Sequence, residues 1–212
     1  TETIGTRYLR LDRQVEGFAR LSPSIIREFH GYTVISTEQN REAAQRKAEA
    51  LRKEIIRISK RKFDLSQEVI SNIVESQIDP QAIRDSACFI IAGDVAYEMS
   101  HLEPRPESST GELVRGSDLD IVVVADGLSA TSIEALDRAI HRQKSFLLRN
   151  PSYNEEIDYL IKDIAKIEDQ LEFDDFESMV ASKILLEGKF LYGNIGLFAQ
   201  IKEMLNVAAI PE

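Results

Sequence analysis

A chain of 212 residues is one domain of ordinary size, or a core domain with an appendage. Apolar residues at 43% and charged residues at 29% are globular values, which excludes wholesale disorder and a collagen-like repeat. No apolar run approaches the ~18 residues of a transmembrane helix, and the single cysteine, Cys88, excludes an internal disulfide and a multi-cysteine zinc site. Thr1-Glu2-Thr3-Ile4-Gly5 shows no signal-peptide pattern, so a soluble, cytoplasmic protein with no membrane partner is expected.

The net charge of −10 argues against a protein that coats nucleic acid with its whole surface. The charge is uneven. Residues 41–62 carry nine basic side chains (Arg41, Arg46, Lys47, Arg52, Lys53, Arg57, Lys60, Arg61, Lys62) against three acids (Glu42, Glu49, Glu54), a local +6 that leaves −16 on the rest. Such a face suits an acidic partner, RNA or nucleotide phosphates. It is also what a solvated helix presents when laced with i,i+4 pairs such as Glu42–Arg46 and Glu49–Lys53.

In chain order, residues 12–21 predict a weak helix ended by Ser22-Pro23, residues 24–29 a second helix stopped by Gly31, and residues 32–35 a short strand. Ser36 or Thr37 can cap a helix over residues 38–61, where Ala44, Ala48, Leu51, Ile55 and Ile58 form one apolar stripe. Asp64 or Ser66 starts a further helix containing Val69, Ile70, Ile73 and Val74. Asp79-Pro80 is an N-cap followed by proline at the first helical position.

The second half changes character. Ala87-Cys88-Phe89-Ile90-Ile91-Ala92 is a short apolar run ended by Gly93, which predicts a buried strand. A short helical piece over residues 95–100 and a loop with Pro104, Pro106, Ser108, Ser109 and Gly111 lead to the β-branched strand of residues 119–124. Ser129 or Thr131 caps a helix to about Arg149, which Pro151 ends. Residues 155–161 predict a third strand. A helix near residues 175–186, a short strand at 189–192 and a last helix at 195–205 complete the chain.

The chemistry concentrates in Gly116-Ser117-Asp118-Leu119-Asp120. Residues i and i+2 of a strand share a face, so Asp118 and Asp120 sit side by side where the chain enters a buried strand. Two carboxylates so placed repel each other, and a divalent cation with a preference for hard oxygen ligands, magnesium or manganese, is the usual compensation. Upstream, a strand ends at Gly93-Asp94 and feeds a helix, a geometry that lets backbone N–H groups approach a phosphate. Downstream, Asp158 lies in a strand among Ile157, Tyr159 and Leu160, where an aspartate is disfavoured unless it faces a site or a partner. Glu156, on the same strand face, is the alternative third acid; the apolar neighbours of Asp158 favour Asp158. Three carboxylates on two neighbouring strands, beside a glycine turn, are what two-metal nucleotidyl transfer requires.

The runs Gly93-Asp94-Val95-Ala96-Tyr97-Glu98 and Arg115-Gly116-Ser117-Asp118-Leu119-Asp120-Ile121-Val122-Val123 resemble the signature of the DNA-polymerase-β-type nucleotidyltransferase superfamily. Leu186-Glu187-Gly188-Lys189-Phe190-Leu191-Tyr192-Gly193 is similar to the closing strand of many small members. The resemblance covers roughly residues 86–196, about half the chain. It implies an α+β fold in which a mixed β-sheet core is flanked by helices; it says nothing of the helical N-terminal region that the residues themselves predict over 1–85, nor of the C-terminal helix and tail over 197–212. It implies that Asp118, Asp120 and Asp158 are the metal ligands and catalytic carboxylates for Mg2+ or Mn2+. Gly93, Asp94, Ser117 and Lys183 would bind the nucleotide.

The chain departs from the signature at two points. Asp94 stands where the family has a serine that helps to hold phosphates, and 24 residues separate Gly93 from Asp118, about twice the usual spacing in small members. The extra length is expected to form a surface loop over residues 101–112. The expected reaction moves a nucleoside monophosphate from ATP or another nucleoside triphosphate to a hydroxyl acceptor, with release of pyrophosphate. The competing reading is a catalytically inactive, antitoxin-like binding module. In either case helix 38–61 offers a surface for a protein partner or a homodimer.

His30, His101 and His141 have no metal-ligand spacing, and His101 reads as a surface residue. Cys88 reads as core, as do Phe173, Phe176, Phe190, Tyr192 and Phe198 around the closing strand. No Walker or Rossmann glycine run is present.

Overall fold

The computed structural model describes residues 9–11, 19–21, 32–107 and 109–208. The chain divides into two compact units, Thr1–Arg57 and Ile58–Glu212.

In the first unit β1 (Leu9–Leu11) pairs antiparallel with β2 (Ala19–Leu21), with Leu9 opposite Leu21. The helix expected over residues 12–21 therefore ends as a strand. Leu9-Arg10-Leu11 and Ala19-Arg20-Leu21 share an apolar–basic–apolar alternation, and two segments of that period satisfy each other's backbone as a ladder. Residues 12–18, and the helix expected over 24–29, lie outside the described residues. In the stretch expected as a strand over 32–35, Val34 makes an isolated bridge. Thr37 occupies the N-cap position of a 3-10 turn, Glu38–Asn40, but its side chain makes no capping bond.

The turn runs into α1 (Arg41–Glu75), one helix of 35 residues where two were expected. The residues read as a new start are engaged within it. Lys60 Nζ reaches the Asp64 carboxylate at 2.6 Å, and Ser66 Oγ donates to the carbonyl of Lys62 at 2.8 Å. With no glycine or proline to interrupt it, the helix continues. The expected pairs are present at 3.7 Å (Glu42–Arg46) and 3.1 Å (Glu49–Lys53), all on exposed side chains, where such pairs add a few tenths of a kcal/mol.

In the second unit, Asp79 accepts from Ala82 N–H at 3.0 Å and caps α2 (Pro80–Ser86), which turns directly into β3 (Ala87–Ile91). A short helix, α3 (Gly93–Ala96), follows. The expected surface loop is instead a small antiparallel hairpin, β4 (Pro104–Pro106) with β5 (Leu113–Arg115), delivering the chain to β6 (Leu119–Ala125). Prolines at both ends of β4 hold the backbone extended, which turns a permissive insertion into a strand. Ser129 accepts from Ser132 N–H at 3.1 Å and caps α4 (Ala130–Arg149). Then come β7 (Ile157–Asp163), α5 (Ile164–Gln170), α6 (Phe176–Glu187), β8 (Lys189–Gly193) and α7 (Ile195–Ala208). Helix α5 has no counterpart among the expected elements; its N-cap is Asp163, whose carboxylate accepts from Ala165 N–H at 2.9 Å.

The fold is α+β. Its mixed sheet of four strands has the order β7-β6-β3-β8, with β6 and β7 parallel and β3 antiparallel to both β6 and β8. Alternation along the strands sorts the core into two faces. Phe89, Ile91, Leu119, Ile121 and Val123 pack with Ile70, Ile73 and Val74 of α1 and with Leu136 and Ile140 of α4. Cys88, Ile90, Val122 and Val124 pack with Ile167 of α5, Leu185 of α6 and Leu197, Ile201 and Leu205 of α7. Each large apolar side chain so buried contributes ~1.5–3 kcal/mol. The core thus draws on helical residues on both sides of the 86–196 stretch. No described helix is long and apolar enough to cross a membrane.

Candidate metal centre

The ends of three strands build the site. Asp120 is the second residue of β6 and points to the same face as Val122 and Val124. Because β6 and β7 are parallel and in register, Asp120 stands directly opposite Asp158. Asp118 precedes β6 by one residue. One carboxylate oxygen from each of Asp118, Asp120 and Asp158 lies within 4.8 Å of the other two, close enough to share a cation. Asp158, rather than Glu156, is the third member of this group.

Two glycine turns flank the carboxylates. Gly93 has φ +61°, a conformation that L side chains rarely adopt, and a Cβ built there would overlap Oδ2 of Asp120. The Ala92 N–H donates to the carbonyl of Asp120 at 2.9 Å, which holds the turn on the carboxylate. Gly116, at φ +66°, leaves no room for a Cβ because the carbonyl of His101 crosses it. There the N–H of Ser117 donates to His101 O at 3.2 Å, and the N–H of His101 donates back to Ser117 Oγ at 3.2 Å. His101 is consequently buried, not on the surface.

The expected nucleotide-binding residues part company. Gly93, Asp94 and Ser117 gather at the triad. The hydroxyl of Ser117 donates to Asp94 Oδ2 at 2.6 Å, so its proton is committed to a carboxylate. Helix α3 has four residues, too few for a macrodipole, so any phosphate here would meet turn N–H groups. Lys183 lies on α6 and pairs at 3.4 Å with Glu187 one turn along the same helix, a contact outside the triad.

The local electrostatics are dominated by unshared negative charge. Burial first, then the neighbouring carboxylates of Asp118, Asp158 and Asp94, push the Asp120 carboxyl up to about 7; Arg105 opposes them. Burial likewise raises Glu156, against the pull of Arg105. Among the described residues, two cations are in contact with the group. Lys144 of α4 lies 3.4 Å from Asp158. Arg105, from the β4–β5 hairpin, places Nη2 at 3.3 Å from Asp118 and 2.8 Å from Glu156, while its Nε donates to the Gly116 carbonyl at 2.7 Å.

Sequence reasoning missed Arg105. The usable signal was a lone cation held extended between Pro104 and Pro106, in an insertion that leads straight to an acidic strand. It also read Lys62 as part of the solvated basic face. Lys62 is fully buried, ion-paired with Glu155, and donates to the Arg115 carbonyl at 2.9 Å. Nothing separates Lys62 from Lys60 and Arg61 in the sequence, and the distinction is made only by where the helix packs.

Cys88 is in the core, where burial pushes its thiol up to about 12. Tyr192 stacks edge-on with Phe89 and Phe190 with Phe198, whereas Phe176 is exposed, because it lies in the first turn of α6.

The glycine geometry makes a prediction. Gly127 also has positive φ (+74°), but nothing lies within 4 Å of a Cβ built there. Gly127→Ala should cost only the backbone strain, about 1 kcal/mol. Gly93→Ala should cost that plus displacement of Asp120, roughly 2–3 kcal/mol in all. Urea denaturation of both variants tests this, and equal losses would show that the turn does not bear on the carboxylate.

The fold and the site define an α+β protein with a carboxylate cluster able to hold a metal ion at the mouth of a mixed sheet. No protein-family model and no curated protein matches the chain.

Proposed function

We propose that the site is that of a metal-dependent nucleotidyltransferase, which moves a nucleoside monophosphate from a nucleoside triphosphate to a hydroxyl acceptor. The observation that carries this reading is the clustering of Asp118, Asp120 and Asp158, on two adjacent parallel strands, under a glycine turn that only glycine can form. Three carboxylates with so little compensating charge fit a hard divalent cation, Mg2+ or Mn2+, and no softer donor is among them. Such an ion supplies charge neutralisation at the triphosphate.

The chain's own residues have distinct parts in the reaction. Asp118 and the half-buried Asp120 would hold the cation. Asp158, the most exposed of the three, is open to the acceptor and takes the hydroxyl proton as the oxygen attacks the α-phosphorus. The bond to the bridging oxygen breaks, and pyrophosphate leaves with the electron pair. The resemblance of residues 86–196 to the DNA-polymerase-β-type superfamily supports the same reading.

A second reading is favoured by one observation. Asp94 adds a fourth carboxylate where a phosphate would rest and takes the Ser117 proton, as suits an inactive module that keeps the shape. Calorimetric titration with ATP, GTP, CTP and UTP separates the two, in Mg2+ and in EDTA. Metal-dependent binding that Asp118→Asn/Asp120→Asn abolishes supports the enzyme. Folded protein that binds no nucleotide excludes it and leaves the inactive module.

A further inference from the structure

The hairpin that lengthens the path from Gly93 to Asp118 brings a guanidinium into the carboxylate cluster. Arg105 is fixed at one edge by its Nε bond to the Gly116 carbonyl, 2.7 Å long. At the other edge Nη2 lies between Asp118 Oδ2 and Glu156 Oε2, at 3.3 and 2.8 Å. Both Nη2 and Glu156 Oε2 are shielded from solvent, and neither has a hydrogen-bond partner, so their contact is an ion pair without hydrogen-bond geometry. A cation approaching Asp118 alone therefore meets a ligand that already has a positive partner. Meanwhile the donor expected for phosphate, the Ser117 hydroxyl, is spent on Asp94 at 2.6 Å, and Asp94 itself repels phosphate. Among the described residues, Arg105 is the cation in contact with Asp118 that can supply the charge a polyphosphate needs at this turn.

We propose that Arg105 is a specificity-determining residue, by which the site selects a divalent cation already carried by a polyphosphate over the free cation. The inference rests on the metal-site reading above and adds what the site discriminates. A guanidinium has five N–H donors in a planar fork, and those not held by Gly116 suit phosphate oxygens. For the free ion the guanidinium is a like charge beside a ligand; for the metal–polyphosphate it is a counter-ion. One unit charge acting on a dication a few ångströms away, at a solvent-lined site, changes affinity on the order of ~10-fold.

The test uses Mn2+ alone and Mn2+–tripolyphosphate, which needs no choice of nucleobase, titrated calorimetrically into the full chain. Wild type should bind the complex more tightly than the free ion. Arg105→Gln should bind free Mn2+ about 10-fold more tightly and the complex about 10-fold more weakly. Arg105→Lys, which keeps the charge, should restore most of the wild-type ratio. Glu156→Gln moves the other way: it leaves Arg105 to Asp118 alone and should weaken free Mn2+ roughly 3-fold without loss of the complex. That variant carries the test if Arg105→Gln does not fold. An Arg105→Gln ratio within 2-fold of wild type, or wild type that binds Mn2+ but not its tripolyphosphate complex, overturns the inference and leaves the metal site standing. Wild type that binds neither overturns the metal-site reading, and this inference with it.

Discussion

Asp120→Asn is expected to stabilise the metal-free protein at pH 8 and to abolish its stabilisation by Mg2+ or Mn2+. Burial and three neighbouring carboxylates push the Asp120 carboxyl to about 7, against an ordinary value near 3.8. A folded-state value raised above the unfolded one fixes the sign. The favourable contribution is complete below pH ~4 and is lost as pH rises through about 7, because the folded state must then carry a charge that the unfolded chain carries freely. The carboxylate is partly exposed and salt screens it, so about 1–3 kcal/mol is expected rather than the full value of so large a perturbation. The asparagine variant should therefore unfold at higher urea than wild type at pH 8, and at similar urea at pH 4.

Saturating metal reverses the order, since a ligand that binds only the folded state stabilises it in proportion to RT ln(1 + [L]/Kd). Wild type should gain stability with Mn2+; Asp120→Asn should not. Equal pH dependence in the two proteins would show that the carboxylates do not strain the fold. Wild type unaffected by Mn2+ would remove the metal.

What was legible in the sequence follows the range of the forces involved. Periodicity and punctuation are local, and they placed β3, β6, the cap at Asp79 and, as one of two candidates with Thr131, the cap at Ser129 where the structure has them. The i, i+2 spacing put Asp118 and Asp120 on one face, and the apolar surroundings of Asp158 marked a strand residue with something to face. The apolar neighbours of Asp158 favoured it over Glu156, but its place directly opposite Asp120 comes from the parallel register of β6 and β7, a pairing of distant residues that no local pattern encodes. The same holds for Arg105, whose role comes from a hairpin between two prolines. The misread helix boundary near Asp64 has a different cause: residues with capping chemistry had better partners inside the helix, Lys60 for Asp64 and the Lys62 carbonyl for Ser66.

The buried pair between Lys62 and Glu155 is where the fold and the site are joined, and Lys62→Met is expected to cost about 3–5 kcal/mol at pH 7. Both side chains are almost completely buried. Burial pulls the Lys62 ammonium down and pushes the Glu155 carboxyl up, and each opposes the shift of the other. Removing Lys62 leaves Glu155 charged in the core and takes the 2.9 Å donor from the Arg115 carbonyl. In the variant the Glu155 carboxyl rises further. The loss should thus be largest at high pH and shrink as pH falls through the raised value of the buried Glu155, vanishing below the ordinary carboxylate value near 4.5, where the unfolded chain is protonated as well. Lys62→Met/Glu155→Met, which removes both charges, should recover most of the loss, because a buried ion pair is worth little against apolar side chains of similar size.

The pair also has a positional consequence. Arg115 lies three residues before Asp118, and Glu155 three before Asp158, so one ammonium on α1 tethers the approach to both acid-bearing strands. Lys62→Met should therefore weaken Mn2+ binding as well as stability, while the double methionine variant restores stability more fully than metal affinity. Urea denaturation from pH 4 to 8, with Mn2+ titration of the same proteins, measures both. A single variant that loses less than about 1 kcal/mol would mean that Glu155 finds solvent or another partner, and that the strand mouths are held by the sheet alone.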